Sequence, residues 1–323
     1  MIPTRLQKTN QQYAKKAKSI RSRAAQAHGH GSPFTVPATT VVEHLISRKP
    51  TIARNTWKQY KSALRHDLEV QLTESREKVL TEEIQVALTI LNSATSSGAL
   101  KYGTQTSSRK QKGIKRADYD KLITYLAIHV GTHRYARTLL TWLQATRISG
   151  LRPNEWENAT ISASTHGPVL TVQNAKNTNG RSHGDERTLD LRDLPADDLA
   201  ALQEMVDMIE GYRGESPFEA LQQHVGDYMK YATRRCFGKR QQYPTLYSLR
   251  HQFSANAKFS GHSRAEIAAL MGHGSDATAG SHYARRVSGD SAVNITPVPA
   301  EVARVRSRAK SFVPASKRMA DPN

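Results

Sequence analysis

The stretch that decides the fold runs from Pro244 to Tyr283 and reads PTLYSLRHQFSANAKFSGHSRAEIAALMGHGSDATAGSHY. Its apolar residues recur at helical spacing, but three polar residues, Arg250, His273 and Tyr283, lie at the starts or ends of short segments instead. Side chains at such positions are more often involved in binding or chemistry than those inside apolar stripes. These three residues are therefore the first candidates for a functional site.

Four short motifs follow one another along the chain, and three of them lie within this stretch. In order they are Gly150-Leu151-Arg152 with Glu155 three positions on, Tyr247-x-x-Arg250, Met271-Gly272-His273, and Tyr283 ten residues after His273. Each motif alone is a weak signal, whereas all four in this order and at this spacing are specific. In these residues the chain resembles the tyrosine recombinase and phage integrase family, over roughly residues 135–290.

The resemblance implies a fold and a reaction. The fold is mainly α with a small antiparallel β-sheet, an α+β catalytic domain that forms a two-domain clamp on DNA with a helical domain. Tyr283 would attack a phosphodiester and form a 3′-phosphotyrosyl intermediate, which conserves the bond energy. Arg152 and Arg250 would stabilise charge on the phosphate oxygens, and His273 would donate a hydrogen bond to the same phosphate.

The family also carries a catalytic lysine on a β-hairpin, which protonates the leaving 5′ oxygen. Alternating residues 169–173 and 187–191 predict such a hairpin, with a polar turn over 174–186. Lys176 at the edge of that turn is the candidate, and Arg181 and Arg187 compete for the basic role. An ammonium near phosphates stays protonated and can donate its proton in the transition state.

Two of the candidates have alternative interpretations. Tyr247 stands where the family most often has a histidine, and because a phenol is a poor base near pH 7, a supporting role is expected. His251 should point about 100° away from Arg250 on the same helix. Arg152, taken alone, could be a surface arginine paired with Glu155 or Glu157.

The amino-acid composition limits which kinds of partner the protein can bind. With 47 Lys+Arg against 28 Asp+Glu, the 323-residue chain carries a formal charge of +19, which favours nucleic acid over a solvated basic face or an anionic membrane. The single cysteine, Cys236, excludes an intramolecular disulfide and indicates a buried thiol. No apolar run is long enough for a membrane span, so a cytoplasmic protein is expected. The reaction implied by the resemblance needs no cofactor and no metal, because two arginines and a lysine can supply the electrostatic stabilisation.

Five segments are predicted along the chain. They are a mobile basic arm (1–37), a helical core-binding domain (38–97), a basic linker (98–116), a catalytic domain (117–290) and a tail (291–323). Trp57 and Tyr60 fall on the same apolar stripe as nearby leucines and are expected in the core of the helical domain. The tail is expected either to pack on a neighbouring subunit, as in the family, or to be solvated.

The resemblance to the family implies a site-specific recombinase serving a mobile genetic element by integration, excision or cointegrate resolution. The expected partners are double-stranded DNA with a specific recombination site, three further copies in a tetramer on two duplexes, and an accessory DNA-bending or helper protein. One alternative is a catalytically impaired DNA-binding protein on the same fold. Another is a topoisomerase or hairpin resolvase with the same chemistry, whereas a metal-dependent transposase is disfavoured because no spaced acidic triad stands out.

Overall fold

The computed structural model describes residues 7–100, 111–175, 182–277 and 288–307. The chain divides into two compact units, Met1–Ser108 and Arg109–Asn323, and each has its own hydrophobic core. Within the described ranges, no helix is both long and apolar enough to cross a membrane.

The first unit contains four α-helices within its described residues. They are α1 Gln7–Ala27, α2 Ala38–Ser47, α3 Arg54–Glu74 and α4 Lys78–Ser93, and a 3-10 helix Lys49–Thr51 joins α2 to α3. The apolar faces expected from the sequence meet in one core that includes Val41, Leu64 and Ile84. Trp57 is only 1% exposed and Tyr60 packs against the same core, which confirms the predicted place of both residues in the core of the bundle.

Helix α1 replaces most of the mobile arm that was expected over residues 1–37. Its buried residues follow helical spacing and pack against α3: Ala17, Ile20, Arg21, Ala24 and Ala25. Arg21 also donates to Asp67 of α3 at 2.9 Å. The basic residues on the opposite face dominate the composition, so the narrow apolar stripe of small residues was overlooked.

The second unit combines seven described helices with a four-stranded sheet. The helices are α5 Arg116–His129, α6 Ala136–Ser149, α7 Ala196–Tyr212, α8 Phe218–Phe237, α9 Leu246–Phe259, α10 Arg264–Leu270 and α11 Pro299–Arg304. The strands, β1 Thr160–Ser164, β2 Gly167–Gln173, β3 Glu186–Asp190 and β4 Thr296–Pro297, pair antiparallel in the order β1-β2-β3-β4. This architecture confirms the predicted fold class.

Helix α6 lies at the centre of this unit and packs against α5, α7, α8 and α9. Its buried residues lie on more than one side of the helix, with Leu139 and Leu143 on one side and Thr141 and Ala145 on the other, as expected for a helix enclosed by others. The described part of the expected linker, residues 111–116, also belongs to the second unit. The backbone N–H of Gln111 donates to the backbone oxygen of Tyr243 at 3.0 Å, and Ile114 is fully buried. Cys236 is buried as expected, and its burial raises the pKa of the thiol.

The predicted hairpin is confirmed as β2 and β3, in a register that pairs Leu170 with Leu189 and Val172 with Arg187. Leucine and valine at these positions face the core, and so does Arg187, which is 0% exposed. Strands β1 and β4 were not predicted. The first is mostly exposed and lacks apolar alternation, and the second has only two residues.

The described part of the C-terminal tail, residues 291–307, packs on its own second unit. Residues 291–307 are therefore not simply solvated, and packing of the tail on a neighbouring subunit stays a prediction. Strand β4 pairs with β3, and Val302 and Val305 near α11 contact Ala268 and Ala269 of α10. The two alanines leave an apolar surface, and the two valines are spaced to cover it. Residues 308–323 lie outside the described residues.

Gly150, where α6 ends, provides a test of this packing. Its φ of +67° is left-handed, and a Cβ there would overlap the ring of Phe253 on α9. We expect Gly150→Ala to lower the free energy of unfolding by roughly 3 kcal/mol or more, through backbone strain and overpacking. Urea unfolding followed by circular dichroism measures it.

Gly211→Ala is the matched control, because no heavy atom lies within 4 Å of the Cβ it would add to α7. It should raise the free energy of unfolding by up to about 1 kcal/mol through helix propensity. Equal effects of the two substitutions would contradict the close packing of α9 on Gly150.

Candidate active site

Arg152 is held where α6 ends and the chain turns into a 3-10 helix, Pro153–Asn158. Gly150 adopts the left-handed conformation that ends α6, and Pro153 occupies the first position of the next helix, as the sequence predicted. Arg152 is its N-cap residue and is 5% exposed. It does pair with Glu155, but the pair is buried, so the surface-arginine interpretation is wrong.

Arg250 reaches the same place from α9, which begins one residue after Thr245 in a capping box with Ser248. Its side chain is fully buried. It donates to the backbone oxygens of Gly150, at 2.7 Å, and of Met271. The guanidinium therefore ties the end of α6 to the end of α10.

His273 follows helix α10 through a left-handed glycine. Gly272 has a φ of +63°, and the backbone N–H groups of Gly272 and His273 donate to the oxygens of Ala269 and Ala268 at 3.0 and 2.8 Å. This cap directs the His273 ring inward, where its Nε2 lies 3.3 Å from Nη2 of Arg250. Because a guanidinium only donates, Nε2 is the acceptor and the ring proton lies on Nδ1.

The carboxylate of Glu155 joins these groups and is itself fully buried. Its Oε2 accepts from the backbone N of Arg152 at 2.7 Å, from Nη2 of Arg187 at 2.8 Å and from Nη1 of Arg250 at 3.5 Å. Its Oε1 accepts from Nη1 of Arg152 and from the backbone N of Ala175. One carboxylate thus orders three arginines, named below as the Glu155 cluster: Glu155, Arg152, Arg187 and Arg250.

The Glu155 cluster has more positive than negative charge. Burial alone would raise the pKa of Glu155, but Arg187, Arg250 and Arg152 outweigh it and hold that pKa well below its usual range. Arginine stays protonated in proteins. Three guanidiniums and one carboxylate therefore leave a net charge of +2 in a buried site.

His273 does not add to that charge. Burial, followed by the charges of Arg250, Arg152 and Arg187, lowers its pKa far below the ordinary value of 6.5. The ring is neutral at pH 7 and acts through hydrogen bonds. A neutral imidazole is consistent with the role expected from the sequence, in which His273 donates a hydrogen bond to the phosphate.

The cluster also retains one buried donor for an anion. Among the described residues, Nε of Arg152 is buried and has no hydrogen-bond partner. An unsatisfied charged donor in a buried position costs on the order of 1–3 kcal/mol or more. A bound oxyanion would relieve that cost and offset part of the net charge.

Tyr247 and His251 lie one turn apart on α9, with their rings edge to face at 5.3 Å. Burial, Lys112, Arg250 and Lys258 lower the pKa of His251 to about 4. The ring contact directs the imidazole toward Tyr247, and the low pKa leaves it neutral at pH 7. Of the other predicted site residues, Lys176 and Tyr283 lie outside the described residues, as does Arg181.

Two members of the cluster were not assigned a place in the site from the sequence. Glu155 was noted only as part of the Gly-Leu-Arg motif, and Arg187 only as a competitor of Lys176. A signal for Arg187 was present, because it alternates with Leu189 on the buried face of β3 and with buried Leu191 just after the strand. A single charge on an apolar strand face indicates a buried partner.

Comparison with known proteins extends these findings. No protein-family model and no curated protein matches the sequence. Among solved structures, a lambda integrase (75–356) dimer bound to a COC′ core site is similar, with a TM-score of 0.52 and 17% identity over 86% of this chain and 88% of that one. The chain has the tyrosine recombinase fold.

A second lambda integrase dimer bound to the same core site agrees, with a TM-score of 0.52 and 15% identity, covering 87% of this chain and 73% of that one. At identities this low, the structural similarity establishes the fold of the chain and no more. The chemistry must be argued from the residues of the Glu155 cluster.

The protonation of His273 gives a testable prediction. Its pKa in the folded protein is depressed, so protons bind the unfolded state preferentially, and the stability it contributes is present above pH 6.5 and falls as the pH drops below that value. We expect the free energy of unfolding to fall between pH 7 and 5, less steeply in His273→Gln. Urea titrations at several pH values measure both slopes, and identical slopes would contradict a neutral buried His273.

Proposed function

We propose that this protein is a site-specific DNA recombinase that cleaves and rejoins strands through a 3′-phosphotyrosyl intermediate on Tyr283. The observation that carries the proposal is the net charge of +2 in the Glu155 cluster, together with the free Nε of Arg152. A site of this kind requires an anion, and DNA offers one phosphodiester at each step along the strand.

The charge of the cluster fits the transition state better than the substrate. A phosphodiester carries one negative charge, and the five-coordinate phosphorus formed during attack carries two. A net charge of +2 therefore matches the transition state, and interactions that strengthen toward the transition state accelerate a reaction. Fixed guanidiniums need no reorganisation as that charge develops.

The roles follow from this charge distribution. Arg152 and Arg250 bind the non-bridging oxygens, and the Nδ1–H of His273 donates to the same phosphate. Lys176 protonates the leaving 5′ oxygen, and Tyr283 is the nucleophile that later departs when the 5′ hydroxyl of another strand attacks. Two arginines and a lysine supply the electrostatic stabilisation that metal ions give elsewhere, so we expect reaction in EDTA.

Binding of the duplex rests on the basic surface. Helix α1 presents Lys15, Lys18 and Arg23 on its exposed face, without an acidic residue in the helix. Such side chains contact phosphates without reading sequence. By analogy with the lambda integrase dimer on its core site, we propose a specific recombination site as substrate. The proposed active assembly, a tetramer on two duplexes, follows from the family resemblance of the four sequence motifs.

A second candidate function is DNA binding without catalysis. Tyr247, at the position where the family most often has a histidine, is the observation that favours it. A topoisomerase or hairpin resolvase would use the same residues, and the topology of the DNA products distinguishes those enzymes from a recombinase. Mobile-element integration, excision or resolution is the biological role we propose.

Covalent trapping tests the proposal. Nicked duplexes that tile the DNA flanking the gene are incubated with the protein in EDTA and denatured, and any adduct is mapped by mass spectrometry. We expect an adduct on Tyr283 that is lost in Tyr283→Phe, because only the phenol oxygen can form the ester. Tyr231→Phe is the control, since Tyr231 is an exposed tyrosine on α8.

Two outcomes oppose the proposal. Duplex binding without any adduct would favour the DNA-binding function and direct attention to Tyr247. An adduct on another tyrosine, or one that survives in Tyr283→Phe, would show that the nucleophile is assigned wrongly.

A further inference from the structure

Arg187 is a fully buried guanidinium that the proposed chemistry does not use. It occupies an inward position of β3, beside Leu189, and is 0% exposed. All three of its nitrogens donate: Nε to the backbone oxygen of Leu270 at 3.0 Å, Nη1 to Oδ1 of Asn174 at 2.5 Å, and Nη2 to Oε2 of Glu155 at 2.8 Å. Its three nitrogens all donate to protein acceptors, and the four sequence motifs assign the phosphate contacts to Arg152 and Arg250, so Arg187 has no assigned role.

The three acceptors belong to three separate elements. Glu155 is in the 3-10 helix after Arg152, Asn174 follows the end of β2 two residues before Lys176, and Leu270 ends α10 three residues before His273. A planar guanidinium donates in fixed directions. Arg187 therefore fixes, from one point, the segments that lead to three of the candidate catalytic residues.

Packing around Arg187 shows how closely these segments meet. A Cβ at Gly272 would lie 2.8 Å from Nη1 of Arg187 and would overlap Oδ1 of Asn174. Only glycine fits beside this pair of side chains. The residue before His273 is thus constrained by the hydrogen bond between Arg187 and Asn174 as well as by its left-handed φ.

Stability alone gives little reason for an arginine at this position. Burial lowers the pKa of Arg187 because desolvating a guanidinium is unfavourable, and Glu155 opposes that shift. Buried ion pairs are often replaced by apolar residues of similar size without loss of stability. A residue facing the core beside Leu189 could be apolar, so the charge of Arg187 needs another explanation.

We propose that Arg187 is a positioning residue for phosphoryl transfer. It keeps Glu155 ionised and fixed, so that Glu155 in turn orients Arg152 and Arg250 toward the phosphate. It also holds the strand end that precedes Lys176 and the helix end that precedes His273. The inference rests on the proposed function, because it assigns a role within that reaction.

The test measures single-turnover cleavage of the nicked duplex and duplex affinity in wild type, Arg187→Met and Arg187→Lys. Methionine removes the charge and the donors but fills the apolar space. We expect Arg187→Met to cleave about 100-fold more slowly, as expected for misplaced groups, with affinity changed less than about threefold. Arg187→Lys should cleave less than about tenfold faster than Arg187→Met, because one ammonium cannot satisfy three divergent acceptors.

The pH profile separates positioning from a structural effect. Without Arg187 the pKa of Glu155 rises, because one of its three cations is gone. The rate of Arg187→Met should therefore decline with acidification at a higher pH than the rate of wild type. General loosening of the fold would lower the rate at every pH alike and leave the shape of the profile unchanged.

Arg192→Met is the matched control, since it removes one arginine at the end of the same strand, where Arg192 is exposed and pairs with Asp190. It should cleave at the wild-type rate. If Arg187→Met does not fold, Asn174→Ala removes one acceptor of Arg187 and should slow cleavage by about tenfold at unchanged affinity.

The outcomes distinguish this inference from the proposed function. A wild-type adduct, with Arg187→Met or Asn174→Ala cleaving at the wild-type rate and with the same pH profile, overturns the role of Arg187 alone. The absence of a wild-type adduct on every duplex overturns the proposed function and this inference with it.

Discussion

The buried carboxylate of Glu155 is the interaction on which the site depends. Three guanidiniums, those of Arg152, Arg187 and Arg250, would repel one another at this spacing, and burial would make each costlier still. One ionised carboxylate, held below its usual pKa by the same three cations, allows them to share a pocket. Because it offsets only one of three charges, the pocket remains positive and able to receive an anion.

The rest of the second unit serves to bring these groups together. Helix α6 must end at Gly150 for Arg152 to turn inward, and α9 can approach that turn only because Gly150 lacks a side chain. Helix α10 must end before the left-handed Gly272 for His273 to reach Arg250. The sheet contributes Arg187 from its buried face, and residues 291–307 are held on the same unit by β4 and α11.

The site residues that the sequence predicts are those next to a glycine, a proline or the start of a helix. Arg152, Arg250 and His273 were found because a glycine, a proline or a helix start accompanies each of them. Arg187 was misjudged because its partners are 13, 32 and 83 residues away, and strand alternation alone does not reveal which face is buried. The sequence pattern of helix α1 predicts a basic arm, because its apolar stripe consists mostly of alanines among lysines and arginines. Strand β4 has only two residues and therefore no detectable alternation.

The most direct measurement of the central claim is a crystal structure grown with tungstate, a tetrahedral oxyanion whose heavy atom is located by anomalous scattering. A cluster with a net charge of +2 and a free Arg152 Nε predicts one well-occupied tungstate with its oxygens about 3 Å from the guanidiniums of Arg152 and Arg250. The same crystals of Glu155→Gln should show that anion displaced or disordered. Tungstate found only on the basic surface of α1, with the Glu155 cluster empty, would contradict the claim that this cluster is built to hold a phosphate.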